Sequence, residues 1–123
     1  MTQRLIQIHA MTKEVVAQCS KYPEYSIGIF AITEADMMDF YKRIIKKIPS
    51  GKIEKNCQSV KNQISVRLTN GSRIDFLSNA PIGCAKRYSA VAYDEALGQR
   101  YIDSVVMKCL PIAGGMVWRL KEQ

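Results

Sequence analysis

The sequence predicts a single three-layer α/β domain spanning residues 1–123, with a mainly parallel sheet and an added β-hairpin. Three observations carry this reading. Stretches with apolar residues at helical spacing alternate along the chain with short β-favouring runs. Tyr88 to Tyr93 is a mostly apolar run that suits a strand buried on both faces of a parallel sheet. Asn70-Gly71 separates two runs of strict apolar/polar alternation, which is a hairpin signal.

The elements follow in order. Leu5, Ile8, Met11, Val15, Val16 and Cys19 recur at helical spacing, so a helix is expected from Thr2 to about Ser20, stopped by Tyr22-Pro23-Glu24. Tyr25 to Ile32 is β-branched and aromatic, a buried strand. Thr33 with Asp36 three residues later forms a capping pattern. The helix it opens turns Met37, Met38, Tyr41, Ile44, Ile45 and Ile48 inward and its lysines outward, and Pro49-Ser50-Gly51 ends it. Ile64, Val66 and Leu68, then Ile74 and Phe76, form the hairpin around a two-residue turn with both central residues at positive φ. A loop with Pro81 and Gly83 leads to the Tyr88 to Tyr93 strand. A helix from Gly98 or Gln99 to Cys109 follows, stopped near Pro111, and Gly114-Gly115 precedes a last strand from Met116 to Leu120.

Composition narrows the function classes. A chain of 123 residues, 47% hydrophobic and 24% charged, has room for one real core. No apolar run approaches the ~20 residues that span a bilayer. The opening residues lack the pattern of a signal peptide. A cytoplasmic protein with no membrane partner is therefore expected. Cys19, Cys57, Cys84 and Cys109 are scattered and share the chain with one histidine, His9, which argues against a zinc site and for free thiols. The net charge is +7 and is concentrated: Lys42, Arg43, Lys46, Lys47, Lys52, Lys55, Lys61 and Arg67 face only Glu54 between positions 42 and 67. Such a block points to a polyanion, most plausibly nucleic acid, against the plainer reading of a solvated helix end.

The strand of Tyr88 to Tyr93 runs into two adjacent acids, Asp94 and Glu95. Open α/β sheets bind ligands at the carboxyl ends of their strands. Read as a Walker B element, Asp94 holds Mg²⁺ and Glu95 polarises the attacking water. Read structurally, the pair is an acidic first turn of the next helix, favoured by its dipole.

The chain resembles the ATPase core of phage terminase large subunits and, more distantly, helicases with a Walker B Asp-Glu pair. The residues that carry the resemblance are Ile29-Phe30-Ala31-Ile32-Thr33, the hairpin around Asn70-Gly71-Ser72, Gly83 and Arg87 before the strand, and Asp94-Glu95-Ala96 after it. The resemblance covers nearly the whole chain as order and spacing. It implies a truncated P-loop NTPase-like fold, phage origin and a host-cytoplasm location. It also implies a site at Asp94 and Glu95, with Lys86 and Arg87 as phosphate contacts beside them. Lys42, Arg43, Lys46 and Lys47 would form a face for the nucleic-acid backbone.

The departures shape the functional expectation. The phosphate loop G-x-x-x-x-G-K-S/T does not occur in these residues; Pro49-Ser50-Gly51-Lys52-Ile53 lacks the first glycine and the hydroxyl. In the family this loop precedes the first helix, with which this chain is expected to begin, and no nuclease domain follows. The expected function is therefore binding to nucleic acid or to a nucleic-acid machine such as a terminase or helicase, without ATP hydrolysis by the chain alone. Mg²⁺ and ATP enter only with a partner that supplies the loop, as in a split ATPase. The alternatives are a small protein that inhibits a host or defence factor, and a magnesium hydrolase using Asp94, Glu95 and Asp75.

Overall fold

The computed structural model describes residues 2–60, 63–78, 87–110 and 115–121. Its seven strands are β1 (Thr2–Ile6), β2 (Ser26–Ala31), β3 (Ile53–Val60), β4 (Gln63–Leu68), β5 (Arg73–Ser78), β6 (Ala90–Asp94) and β7 (Met116–Leu120). They form one sheet in the order β1-β7-β6-β2-β5-β4-β3. From β1 to β5 in that order, every neighbouring pair is parallel. The β5-β4 and β4-β3 pairs are antiparallel. The expected α/β architecture, a mainly parallel sheet with a hairpin on one side, is what the chain adopts.

Helices α1 (Ile8–Lys21) and α2 (Glu34–Ile45) cover one face. Met11, Val15, Met37 and Ile44 pack there against Ile27, Ile29, Ala92 and Trp118. The other face carries a helical segment that opens as α3 (Gln99–Tyr101), widens to π-helix over Ile102–Val106 and tightens to a 3₁₀ turn at Met107–Cys109. Its Ile102, Val105 and Val106 meet Phe30, Tyr88, Val91, Tyr93 and Val117. A strand sends alternate side chains to opposite faces, so both sides of β2, β6 and β7 are apolar because both are covered.

Several sequence expectations hold in detail. Thr33 caps α2, its Oγ1 accepting the Asp36 N–H at 3.1 Å. Met37, Ile44 and Ile48 are buried as expected, joined by Phe40. The last helical segment spans the expected residues, although its interior is π-helical. Cys19 and Cys109 are buried thiols, and Cys109 Sγ donates to Val105 O at 3.3 Å. Burial pushes the Cys19 thiol up to about 12.

Three expectations are corrected. The first helix does not begin at Thr2: Thr2–Ile6 is strand β1, paired in parallel along its length with Met116–Leu120. Leu5, expected inward on a helix, is 45% exposed, while Ile6 enters the core. The hydrogen bonds of the adjacent β7 outweigh a spacing that fits a helix equally well. Second, β3 is an unforeseen strand. It is polar, lies at the sheet edge, and its register shifts twice, between Ile53 and Lys55 and between Cys57 and Val60. Irregular pairing suits an edge that must not recruit further strands.

Third, the hairpin turn is a three-residue loop. Leu68 N–H bonds to Ser72 O at 2.9 Å and Gly71 N–H to Leu68 O at 3.0 Å. Only Gly71 has positive φ, at +88°. The Asn70 amide has other work: it donates to Cys19 O at 2.7 Å and accepts from Ser72 N–H at 3.0 Å, tying the turn to the end of α1.

Candidate functional site

Asp94 is the last residue of β6 and stands at the carboxyl end of the parallel strands. Its side chain lines a cavity of about 190 Å³ with Asp36, Asp39, Phe40 and Arg43 of α2, Ile8 of α1, and Leu120 and Lys121 after β7. Sheet register explains the company. Asp94 is level with Leu120, and both point to the α1/α2 face. Asp94 Oδ1 accepts the Ala96 N–H at 2.9 Å, an Asx turn that ends the strand.

Glu95 does not share this cavity. Its carboxylate lies 3.9 Å from Arg119 Nε, and its N–H prolongs the ladder to Leu120 O at 3.0 Å. Arg119 is level with Tyr93, whose ring belongs to the opposite core. The two acids that sequence reading placed together are thus divided between the sheet's two faces, as successive residues at a strand end are.

The carboxylates of the cavity do not form a metal cage. Among the described residues, no three His, Cys, Asp or Glu side chains gather closely enough to hold one ion. Asp75, the third acid considered for a metal, lies level with Gly28 and Val91, well below the strand ends. It is fully buried and committed elsewhere. Ser65 Oγ donates to Oδ1 at 2.7 Å, Tyr88 Oη donates to Oδ2 at 2.8 Å, and Arg73 Nε approaches to 3.4 Å. Burial first, then the Asp75 charge, raises the Tyr88 phenol far above its ordinary range. Asp75 is therefore not placed to share an ion with Asp94.

Basic residues separate into different regions. Arg43, Lys46 and Lys47 meet His9 and Thr12 of α1 around a second cavity, which Lys42 does not line. Arg43 borders both cavities and donates from Nε to Asp39 Oδ2 at 2.9 Å. Arg67 lies at the hairpin end with Glu54 and Arg73. Arg87, expected beside Asp94, instead precedes β6 at its amino end, where it donates from Nη1 to Lys108 O at 2.7 Å. Lys86, the other expected phosphate contact, lies outside the described residues. His9 was missed as a site residue because nothing in its own neighbourhood of sequence marks it; only the packing of α1 on α2 does.

The connection from β1 to α1 bears directly on nucleotide chemistry. It is Gln7 alone, in extended conformation with φ −82° and ψ 155°, and its side chain makes no cap. Among the described residues, no helix is long and apolar enough to cross a membrane.

No protein-family model and no curated protein sequence matches the chain. Solved structures do match. The HK97 bacteriophage large terminase superposes over 100% of this chain with a TM-score of 0.74 and 10% identity, the match spanning 29% of that protein. An arginine-to-alanine mutant of the Thermus phage P74-26 large terminase ATPase domain matches 96% of this chain with a TM-score of 0.59 and 14% identity, over 59% of its own length. The chain thus spans less than two thirds of either. At this identity the likeness speaks for the fold: the chain folds as a large part of a phage large-terminase ATPase domain does.

Proposed function

We propose that this domain binds nucleic acid, or a machine that handles it, through the basic end of α2, and does not hydrolyse ATP by itself. The observation that carries the reading is the segregation of charge. The cavity at the strand ends, where a terminase-type ATPase would hold its nucleotide, is lined by Asp36, Asp39 and Asp94 against Arg43 and Lys121. A triphosphate there would face more negative than positive side chains. Phosphoryl transfer needs the reverse, a preorganised positive cradle. The single-residue link at Gln7 supports the same conclusion, since it has no run of backbone amides to wrap phosphates. Lys46 and Lys47 line a neighbouring cavity instead, one that Asp94 does not line.

Two measurements on one preparation test this. DNA and RNA binding across a salt series should weaken steeply, because each neutralised phosphate releases counterions. Reversing Lys42, Lys46 and Lys47 to Glu together should weaken binding almost equally for all sequences and flatten the salt slope by about one per lost contact. Wild-type binding in the triple variant would reduce the basic face to a solvated helix end. Steady ATP turnover that disappears in Asp94→Asn would overturn the claim that the domain alone is inactive.

A further inference from the structure

We propose that the cavity between α1 and the end of α2 is a binding site for a single phosphate group. The cavity measures about 240 Å³, and its wall is His9 and Thr12 from α1 with Arg43 from α2 and Lys46 and Lys47 from the turn that follows it. Residues three apart share a helix face, so Arg43 and the cap residue Lys46 form one stripe, which Lys47 extends in the turn after α2, and His9 and Thr12 form another. Either stripe alone is convex. Packed together, the two helices turn them into a concave site whose cationic donors face a common space.

Among the described residues, no carboxylate lines this cavity. The acid closest to it along α2, Asp39, accepts only from Arg43 Nε and lines the neighbouring acidic pocket. That bond uses one of the five N–H donors of the guanidinium. Thr12 belongs to the wall and not to the donor set, because its hydroxyl donates back to Ile8 O at 2.9 Å. The donors are therefore Lys46, Lys47, the guanidinium fork of Arg43 and the His9 ring.

Lysines at a helix C-terminus are also favoured by the dipole. That account explains Lys46 and Lys47 taken singly. It does not explain why His9 faces them across the gap while Lys42, in the same last turn, is left out.

Size selects the ligand class. Pockets that enclose a whole small molecule measure about 300–1,000 Å³. This one is smaller, so it takes the phosphate and leaves the remainder of the ligand outside. A nucleic-acid backbone makes that demand, presenting one phosphodiester at a time to a surface it passes. The inference rests on the nucleic-acid reading above only for the source of the phosphate.

The test uses inorganic phosphate and a single-stranded oligonucleotide as separate probes, followed by the NMR signals of His9 and by titration calorimetry. The proteins are wild type, Lys46→Gln/Lys47→Gln, and Lys42→Gln. Phosphate should shift the His9 signals in wild type. The double variant should bind both probes about tenfold more weakly, the scale of a lost charge-assisted hydrogen bond. Lys42→Gln, with half that charge change and outside this cavity, should alter the affinity for inorganic phosphate by less than about threefold, as a screened surface charge does. Phosphate that leaves His9 unmoved, or a loss of phosphate affinity in Lys42→Gln equal to that in the double variant, overturns the site. Phosphate bound without oligonucleotide keeps the site and removes the nucleic-acid reading. Oligonucleotide bound equally by wild type and the double variant removes the site and, with it, Lys46 and Lys47 from the nucleic-acid face.

Discussion

Tyr88→Phe isolates one hydrogen bond in the deepest polar cluster of the protein. The Tyr88 ring is buried against Gly28, where an added Cβ would lie 2.6 Å from Cδ2 and Cε2, and it meets Phe30 edge-on at 6.4 Å. Phenylalanine keeps all of that packing, so no cavity forms. What is lost is the donor at 2.8 Å from Asp75 Oδ2, leaving a fully buried carboxylate with Ser65 and the longer Arg73 contact. Hydrogen bonds to charged groups contribute about 1.5–3 kcal/mol, and that is the expected cost at neutral pH. For a chain of this length it corresponds to roughly 6–12 °C in melting temperature.

Alkali supplies a second reading. The Tyr88 pKa is raised in the folded state, so its contribution is fully present below the unfolded value of about 10 and is lost as pH climbs beyond it. The gap between wild type and Tyr88→Phe should therefore shrink above that pH. Urea denaturation followed by fluorescence of Trp118, the single tryptophan and fully buried, measures both. A cost under about 0.5 kcal/mol, the scatter of ordinary surface substitutions, would show that Asp75 does not depend on Tyr88 and that the cluster has been misread.

Thr33→Ala should cost about 1 kcal/mol by uncapping α2, and Thr33→Ser almost nothing, as equilibrium unfolding will show; equal costs would remove the cap from the account. Asp94→Asn with Glu95→Gln should lower stability by no more than about 1 kcal/mol, because Asn keeps the turn acceptor and the Glu95–Arg119 pair is part-exposed. Melting in EDTA and in excess Mg²⁺ should give the same value for both proteins; a Mg²⁺-dependent rise confined to wild type would restore the metal site. The Cys19 thiol, pushed up to about 12 by burial, should resist alkylation in the native state at pH 8 and react at the rate of unfolding; rapid labelling would show that α1 opens locally.

The central elements were legible because their patterns are redundant. β6 reads as a strand from its own apolar run, and α2 carries both a cap and a helical stripe. The edges were not. β1 owes its conformation to β7 at the far end of the sequence, and Leu5 with Ile6 fits helix or strand equally well in isolation. β3 is a polar edge strand, with too little apolar alternation to announce itself. In the candidate site, the strand-end position of Asp94 was readable, and so was the lysine cluster. The separation of Asp94 from Glu95 follows from the two-residue period of a strand, a signal present in the sequence but not applied to the pair. The convergence of His9 on Lys46 and Lys47 depends on how α1 lies against α2, which no local pattern encodes.

The pairing of β1 with β7 sets a timetable for biosynthesis. Strand β1, Thr2–Ile6, pairs among the described residues with β7, Met116–Leu120, which is made after every other strand of this sheet. A ribosome adding about 5–20 residues per second holds the β1 strand waiting for several seconds before its neighbour emerges. During that interval the hairpin, β2 and α2 can collapse, but the sheet cannot be finished. Such distant pairing is the slow kind, because the loop must close before any contact rewards it. Emergence of β7, and not the folding of any local unit, is then the event that completes this sheet.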